Sequence, residues 1–370
     1  MGELVLAGAG HAHMQLMEVI PDIIADGHRV TVIGPDDRHF YSGMGPGLLG
    51  GAYRAEEISF PVKSMVERRG GTFVLGKVAR IDPYMRLVIL ETGQEFRYDV
   101  LSCNLGSFVP SGLTGGDSSG VYTVKPIQNL LLARMRIQEI ASERPARIGI
   151  CGGGPAALEI ACNAWAAAKD QGRSGANVQI FTGSAFLRNQ PDRVRRLALK
   201  VLNKRGINII QGSYVERVAD GSVVLQNGQN YDQDIIFLAL GVHPSRVFDA
   251  SELPTGKDGG LMVNRYLQSI SHPEIFGGGD CIRFEPKPLD KVGVYAVRQN
   301  PVLVHNVRAQ LDGHSLREFD PGGSYLLIFN TGGGRGILYK NGLSFGGSPA
   351  FWIKDYIDRK FIKRFMAEGS

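Results

Sequence analysis

Short apolar runs recur along the chain, each ending at a glycine and each followed by residues spaced for a helix. Glu3–Ala7 stops at Gly8-Ala9-Gly10, after which 13–24 carries Met14, Met17, Ile20 and Ile24 at helical spacing before a second apolar run at 30–33. Strand, glycine turn, helix, strand is the opening unit of a doubly wound parallel sheet. The same order returns at 147–151, Gly152-Gly153-Gly154-Pro155, the Ala-rich 156–169 and 178–181. Hairpin-like stretches follow each unit, 72–78 with Leu87–Leu90 and 95–98, then 223–226 with Asn230–Asp232. Each half closes on an apolar strand running into glycine, 100–106 and 235–241, and a third such strand, 275–280, ends in Asp280. Past residue 316 come Gly-rich strands at 325–329 and 336–339 and a helical segment at 351–366. The pattern predicts an α/β protein with two Rossmann-like dinucleotide-binding domains, 1–120 joined by 266–315 and then 121–265, plus a small C-terminal α+β domain at 316–370.

Composition narrows the function classes. Hydrophobic residues at 43% and charged residues at 21% suit a folded globular chain and exclude disorder, collagen-like repeats and coiled coil. Glycine stands out: 49 of 370 residues, well above the usual share of about 7%, as expected where backbone approaches a phosphate closely. The net charge of +5 mixes 41 basic with 36 acidic residues, too evenly spread for a nucleic-acid partner. Cys103, Cys151, Cys162 and Cys281 have neither C-x-x-C nor C-x4-C spacing, which argues against zinc, a thioredoxin-like pair and a disulfide framework. No apolar run is long enough for a spanning helix and no basic region precedes the first strand, so a cytoplasmic location is expected.

In G-x-G-x-x-G the first Gly permits the turn, the second admits backbone N–H groups to a pyrophosphate, and the third lets helix pack on strand. Gly8 and Gly10 fill two positions of the first copy, with His13 at the third; Gly152, Gly154 and Ala157 fill the second, whose helix opens on Pro155. Both copies read as dinucleotide sites. The ribose-binding acid is displaced to Asp36 in the first. In the second none follows Phe181, and Thr182, Ser184 and Arg188 tolerate or favour a 2′-phosphate, leaving NADH and NADPH both open with a lean to NADPH.

These two units, with the strands ending at Gly106 and Gly241 and the segment Phe276-Gly277-Gly278-Gly279-Asp280-Cys281, resemble the two-dinucleotide-domain flavoproteins of the pyridine nucleotide–disulfide oxidoreductase superfamily. Within it, Gly8-Ala9-Gly10-His11-Ala12-His13, Tyr41-Ser42-Gly43-Met44-Gly45-Pro46-Gly47, Tyr295-Ala296-Val297-Arg298-Gln299 and the run 352–361 are similar to type II NADH dehydrogenases and to the flavoprotein modules fused to selenophosphate synthetase. The resemblance implies FAD on the first unit, at Gly8, Gly10, His11, Asp36, Gly43, Gly106, Gly279, Asp280 and Ala296, and NAD(P)H on the second, at Gly152, Gly154, Pro155 and Gly241. It places Lys125, Glu159 and Gln299 beside the reacting rings. Type II dehydrogenases carry A-x-Q-Q at the quinone site; here Arg298 replaces the first Gln and Gln299 keeps the second.

Disulfide-reducing members need paired cysteines in the loop after the second strand, where 41–50 offers only Met44. Direct hydride transfer from nicotinamide to flavin, then electron delivery to a quinone-like small molecule, is the simplest remaining route. Two alternatives stand beside it: a reductase of selenium or sulfur metabolism or a sulfide:quinone-type enzyme, and a flavin-binding interaction protein that senses NAD(P)H. His11 and His13, two residues apart, do not share a helix face, so no metal site is predicted. At the C-terminus Trp352, Ile353, Tyr356, Ile357, Phe361 and Phe365 read as one broad apolar stripe, flanked by Lys354, Arg359, Lys360, Lys363 and Arg364 against Asp355 and Asp358. That pattern suits a helix lying peripherally on the inner face of a membrane, or docked on the protein's own core or on a second subunit of a homodimer.

Overall fold

Continuous apolar runs form strands that must be covered on both faces, and here they build two parallel sheets. The computed structural model describes residues 1–110, 113, 115–116, 118–170, 174–219 and 221–366. The first sheet runs in the order Ile275–Gly277, Val100–Cys103, Glu3–Ala7, Arg29–Gly34, Thr72–Leu75, every pair parallel. In the second the order is Val121–Thr123, Ile235–Leu238, Ala146–Cys151, Ala176–Thr182, Asn208–Gln211, again all parallel. In both, the strand feeding the glycine turn is central, with the next strand of its unit on one side and a strand from much later in the chain on the other. This is the topological switch point at which open α/β sheets bind ligands. A three-stranded antiparallel meander accompanies each sheet, Val78–Asp82 with Leu87–Leu90 and Glu95–Arg97, and Val215–Ala219 with Ser222–Leu225 and Asn230–Asp232.

Two local expectations change. Thr72–Leu75 is not a hairpin arm: residues 72–75 pair in parallel with 31–34 as the sheet edge, and the meander begins at Val78. The helix expected over 13–24 is a 3-10 turn, His11–His13, followed by two short helices, Met14–Glu18 and Ile20–Ala25. Pro21 has no N–H to bond back across Val19, so the helix restarts there.

Leu327–Asn330, Gly336–Lys340 and Leu343–Gly347 form an antiparallel sheet against which the helix Ser348–Met366 packs; residues 367–370 lie outside the described part. The broad stripe read from the sequence divides. Phe365 and Ile362 are buried with Lys354 and Asp358, whereas Trp352, Ile353, Tyr356 and Ile357 face outward. Arg205 joins this sheet to the second parallel one: it stacks 4.7 Å over Trp165 and donates to the carbonyls of Thr331 and Gly332. The helix Gly293–Asp312 packs against the His11–His13 turn and the first sheet.

Candidate functional site

At Gly8 φ is +95°, and a Cβ there would lie 2.1 Å from the Asn104 carbonyl oxygen; at Gly152 φ is +137°, with 2.2 Å to the Ala239 carbonyl oxygen. The same steric demand at both turns, made by the strand alongside, leaves only glycine. Asn104 also closes on Gly10 and Gly279, each of whose Cβ positions lies 2.9 Å from its side chain. Gly154 has nothing within 4 Å, so the start of the helix Pro155–Lys169 opens onto free space, as do Gly106 and Gly241 at the ends of their strands.

His13 takes the third glycine position as a brace. Its Nδ1 donates to the Gly8 carbonyl at 2.6 Å and its Nε2 accepts from the Ser102 hydroxyl at 2.9 Å, linking turn, helix start and neighbouring strand. Burial pushes its pKa down to about 4, against the opposing pull of the Gly8 carbonyl, so the ring is neutral.

Asp280 sits on the 3-10 turn Gly279–Cys281 beyond the strand Ile275–Gly277. It accepts from Lys125 Nζ and Ser107 Oγ, both at 2.8 Å, and Lys125 also donates to Ser107 at 2.8 Å. Burial works to raise the Asp280 pKa, but the Lys125 charge and these two hydrogen bonds outweigh it and hold the carboxylate ionised. Gln299, buried on the helix Gly293–Asp312, accepts from the Gly279 N–H at 2.7 Å and so fixes the turn carrying Asp280. Ala296, one turn earlier, is also buried. Asn300 Nδ2 donates to the His11 carbonyl at 2.7 Å and its Oδ1 accepts from Gln15 N–H at 2.9 Å.

The His11 ring lies 5.0 Å from both His39 and Tyr41, and 6.0 Å from Phe361. Burial, then the neighbouring His39, pushes its pKa down to about 3, with Asp280 opposing. Its Nε2 and the Nδ2 of Asn104 are buried without a hydrogen-bond partner. Two orphaned polar nitrogens beside glycines stripped for close approach fit a phosphate-bearing dinucleotide such as FAD.

Beneath the loop that carries Gly43 lies a polar group that sequence reading missed. Lys354 Nζ donates to the Gly43 carbonyl at 2.8 Å and to Asp358 at 2.6 Å, and the Tyr41 hydroxyl donates to Asp358 at 3.2 Å. The available signal was a Lys–Asp pair four residues apart inside an apolar stripe. Asn104, Asn300 and Ser107 had none, since their partners are remote in sequence. Glu159 lies apart from Lys125 and Gln299, against the C-terminal sheet, accepting from the Asn330 N–H at 2.7 Å. Burial pushes its pKa up to about 7, with Lys354 and the Asn330 N–H opposing. Asp36 is exposed at the end of Arg29–Gly34 and accepts from Gln128 at 3.1 Å.

All four cysteines are buried and unpaired. Burial pushes the thiols of Cys151 and Cys162 up to about 12 and Cys281 to about 11, and burial with the neighbouring Cys281 raises Cys103 well above its ordinary value, so each is a protonated core group. Among the described residues no three His, Cys, Asp or Glu side chains are grouped to hold a metal ion.

The family described as pyridine nucleotide-disulphide oxidoreductase matches residues 2–310. Type II NADH:quinone oxidoreductase of Staphylococcus epidermidis is 24% identical over 414 aligned positions, covering 99% of this chain and 96% of that protein. Ferroptosis suppressor protein 1 of Xenopus tropicalis is 27% identical, covering 74% of this chain and 73% of its own length. Among solved structures, sulfide:quinone oxidoreductase of Aquifex aeolicus superposes with a TM-score of 0.81 at 18% identity, covering 100% of this chain and 92% of that one. The NDH2 structure from Plasmodium falciparum in complex with NADH gives 0.81 at 13% identity, covering 100% and 97%. The chain belongs to the pyridine nucleotide-disulphide oxidoreductase family and is an FAD-dependent NAD(P)H oxidoreductase.

Proposed function

We propose that this protein takes hydride from NAD(P)H onto FAD and passes the electrons to a quinone-like acceptor without a redox-active disulfide. The observation that carries the reading is the Lys125–Asp280–Ser107 node at the switch point of the first sheet, in a chain whose thiols are all buried and protonated. Bound FAD supplies the redox chemistry itself. Residues 1–120 and 266–315 hold it: the backbone at Gly8, Gly10, Gly106 and Gly279 admits the phosphates, His11 and Asn104 offer their free nitrogens, and Asp280 receives sugar or ribityl hydroxyls. Asp36 faces the ribose, while Gly43 and Ala296 line the ring pocket. Lys125 sets a positive charge where electron density arrives, and Gln299 positions the turn bearing Asp280. Residues 121–265 hold NAD(P)H through Gly152, Gly154, Pro155 and Gly241, and Glu159 keeps an exchangeable proton near neutrality behind that turn.

The similarity to a protein named type II NADH:quinone oxidoreductase supports the quinone acceptor. The outward row Trp352, Ile353, Tyr356 and Ile357, followed by the exposed Lys360 and Lys363, is assigned to an anionic membrane surface, where a lipid-soluble acceptor resides. An anaerobic visible spectrum tests the core of this reading. Addition of NADH or NADPH bleaches the bound flavin, and a water-soluble quinone restores its colour. A bound flavin that neither nucleotide bleaches would overturn the proposal, and recolouring by sulfur or selenium compounds alone would move the activity to that chemistry.

A further inference from the structure

The second nucleotide site lacks the carboxylate that ordinarily binds an unphosphorylated ribose, and its geometry explains the absence. Strand Ala176–Thr182 delivers the chain to Gly183, where a Cβ would sit 2.3 Å from the ring of Tyr214. Tyr214 follows the adjacent strand Asn208–Gln211, so its ring covers the place where an Asp or Glu side chain would begin. Thr182 turns its hydroxyl inward to the Ser184 carbonyl at 3.0 Å. The loop then folds back: the Leu187 N–H donates to the Gly153 carbonyl at 2.8 Å, and Leu187 is buried at a φ of +53°. The Leu187 contact to Gly153 fixes the backbone of this loop beside the phosphate-binding turn, and Arg188 is the next residue along it.

Arg188 is exposed and forms no ion pair among the described residues. Asp192 is the single acid between residues 181 and 205, and Arg195 engages it at 2.6 Å. An exposed guanidinium with no ion-pair partner among the described residues, carried by the loop that folds back onto the phosphate-binding turn, suits a dianionic phosphate, which it can bind bidentately. We propose that the second site is built for a 2′-phosphorylated nucleotide, NADPH, with Arg188 as the residue that selects it and Tyr214 as the group that displaces the ribose carboxylate. This deepens the dehydrogenase reading and rests on it for the identity of the site.

Two measurements separate the fate of this inference from that of the reading beneath it. In anaerobic stopped-flow reduction of the flavin-loaded protein, the second-order rate constant with NADPH exceeds that with NADH. Because a charged hydrogen-bond pair contributes about 1.5–3 kcal/mol, Arg188→Ala lowers the NADPH/NADH ratio by roughly 10- to 100-fold, and Arg188→Lys restores part of it. Calorimetric titration with 2′,5′-ADP and 5′-AMP, which needs no turnover, shows tighter binding of 2′,5′-ADP that Arg188→Ala abolishes. Equal or stronger use of NADH by the unmodified protein overturns the inference, as does an Arg188→Ala variant that keeps the ratio. Should neither nucleotide reduce the flavin, the dehydrogenase reading fails. A 2′,5′-ADP preference dependent on Arg188 then still supports this inference, and equal binding of the two probes overturns it.

Discussion

His13 and Glu159 show how one buried titratable group can move stability in either direction. The folded state holds His13 neutral with its pKa lowered to about 4, so between that value and the ordinary His value the unfolded chain binds more protons. The contribution is complete above the ordinary value and is lost as pH falls through this window. Urea unfolding at pH 5 is therefore expected to give about 2 kcal/mol less from this residue than at pH 7, and His13→Gln shrinks the difference. Glu159 has the opposite sign. Its pKa is raised to about 7, so its contribution is complete below the ordinary Glu value and lost as pH rises through 7. Glu159→Gln keeps an acceptor for the Asn330 N–H and is expected to gain about 2 kcal/mol on the parent at pH 8 relative to pH 5; equal pH profiles for the two would refute the assignment. Neither role was legible in the sequence. His13 read as an imperfect third glycine because its partner Ser102 lies 89 positions away, and the Asn330 amide that Glu159 binds belongs to the last sheet.

At the scale of elements, the glycine turns were the most legible part of the chain, because their demands are local. A strand ending in a φ that only glycine tolerates, followed by a helix start, leaves a mark within ten residues. The strands ending in Gly106, Gly241 and Asp280 were legible for the same reason, although their order in the sheets was not read from the sequence. What periodicity did not show is what each element meets. Thr72–Leu75 joins the first sheet as its edge, and the terminal helix turns Lys354 and Asp358 inward while Trp352 and Tyr356 face out. The two glycines of the second turn give a matched test of fold against ligand. Gly152→Ala forces a Cβ into the Ala239 carbonyl and is expected to lower the melting temperature by several degrees. Gly154→Ala enters open space and is expected to leave that temperature within a degree or two while weakening nucleotide binding at least tenfold; scanning calorimetry alongside nucleotide titration separates them. Loss of stability in Gly154→Ala would show that the space above this helix is not the phosphate site.

For the whole molecule, no helix among the described residues is long and apolar enough to cross a membrane, so contact with a bilayer rests on the outward row of the terminal helix. Co-sedimentation with vesicles containing anionic lipid is expected for the intact protein and is expected to weaken as salt rises, since Lys360 and Lys363 act through a screened field. Replacing Trp352 and Tyr356 together by Ser is expected to abolish it with flavin content unchanged, whereas binding that survives would assign that row to another partner. The inward side of the same helix has a different bearing, on the order in which the molecule is made. The first sheet opens at residue 3 yet acquires its strand Ile275–Gly277 late, receives Asn300 and Gln299 later, and gains the Lys354 and Asp358 contacts to Gly43 and Tyr41 only near the end of the chain. A ribosome that has translated the first 120 residues has therefore produced half a pocket. With the flavin held as proposed, its tight capture is expected only after the chain has been made through Asp358, since Gly43 and Tyr41 lack their supports until then.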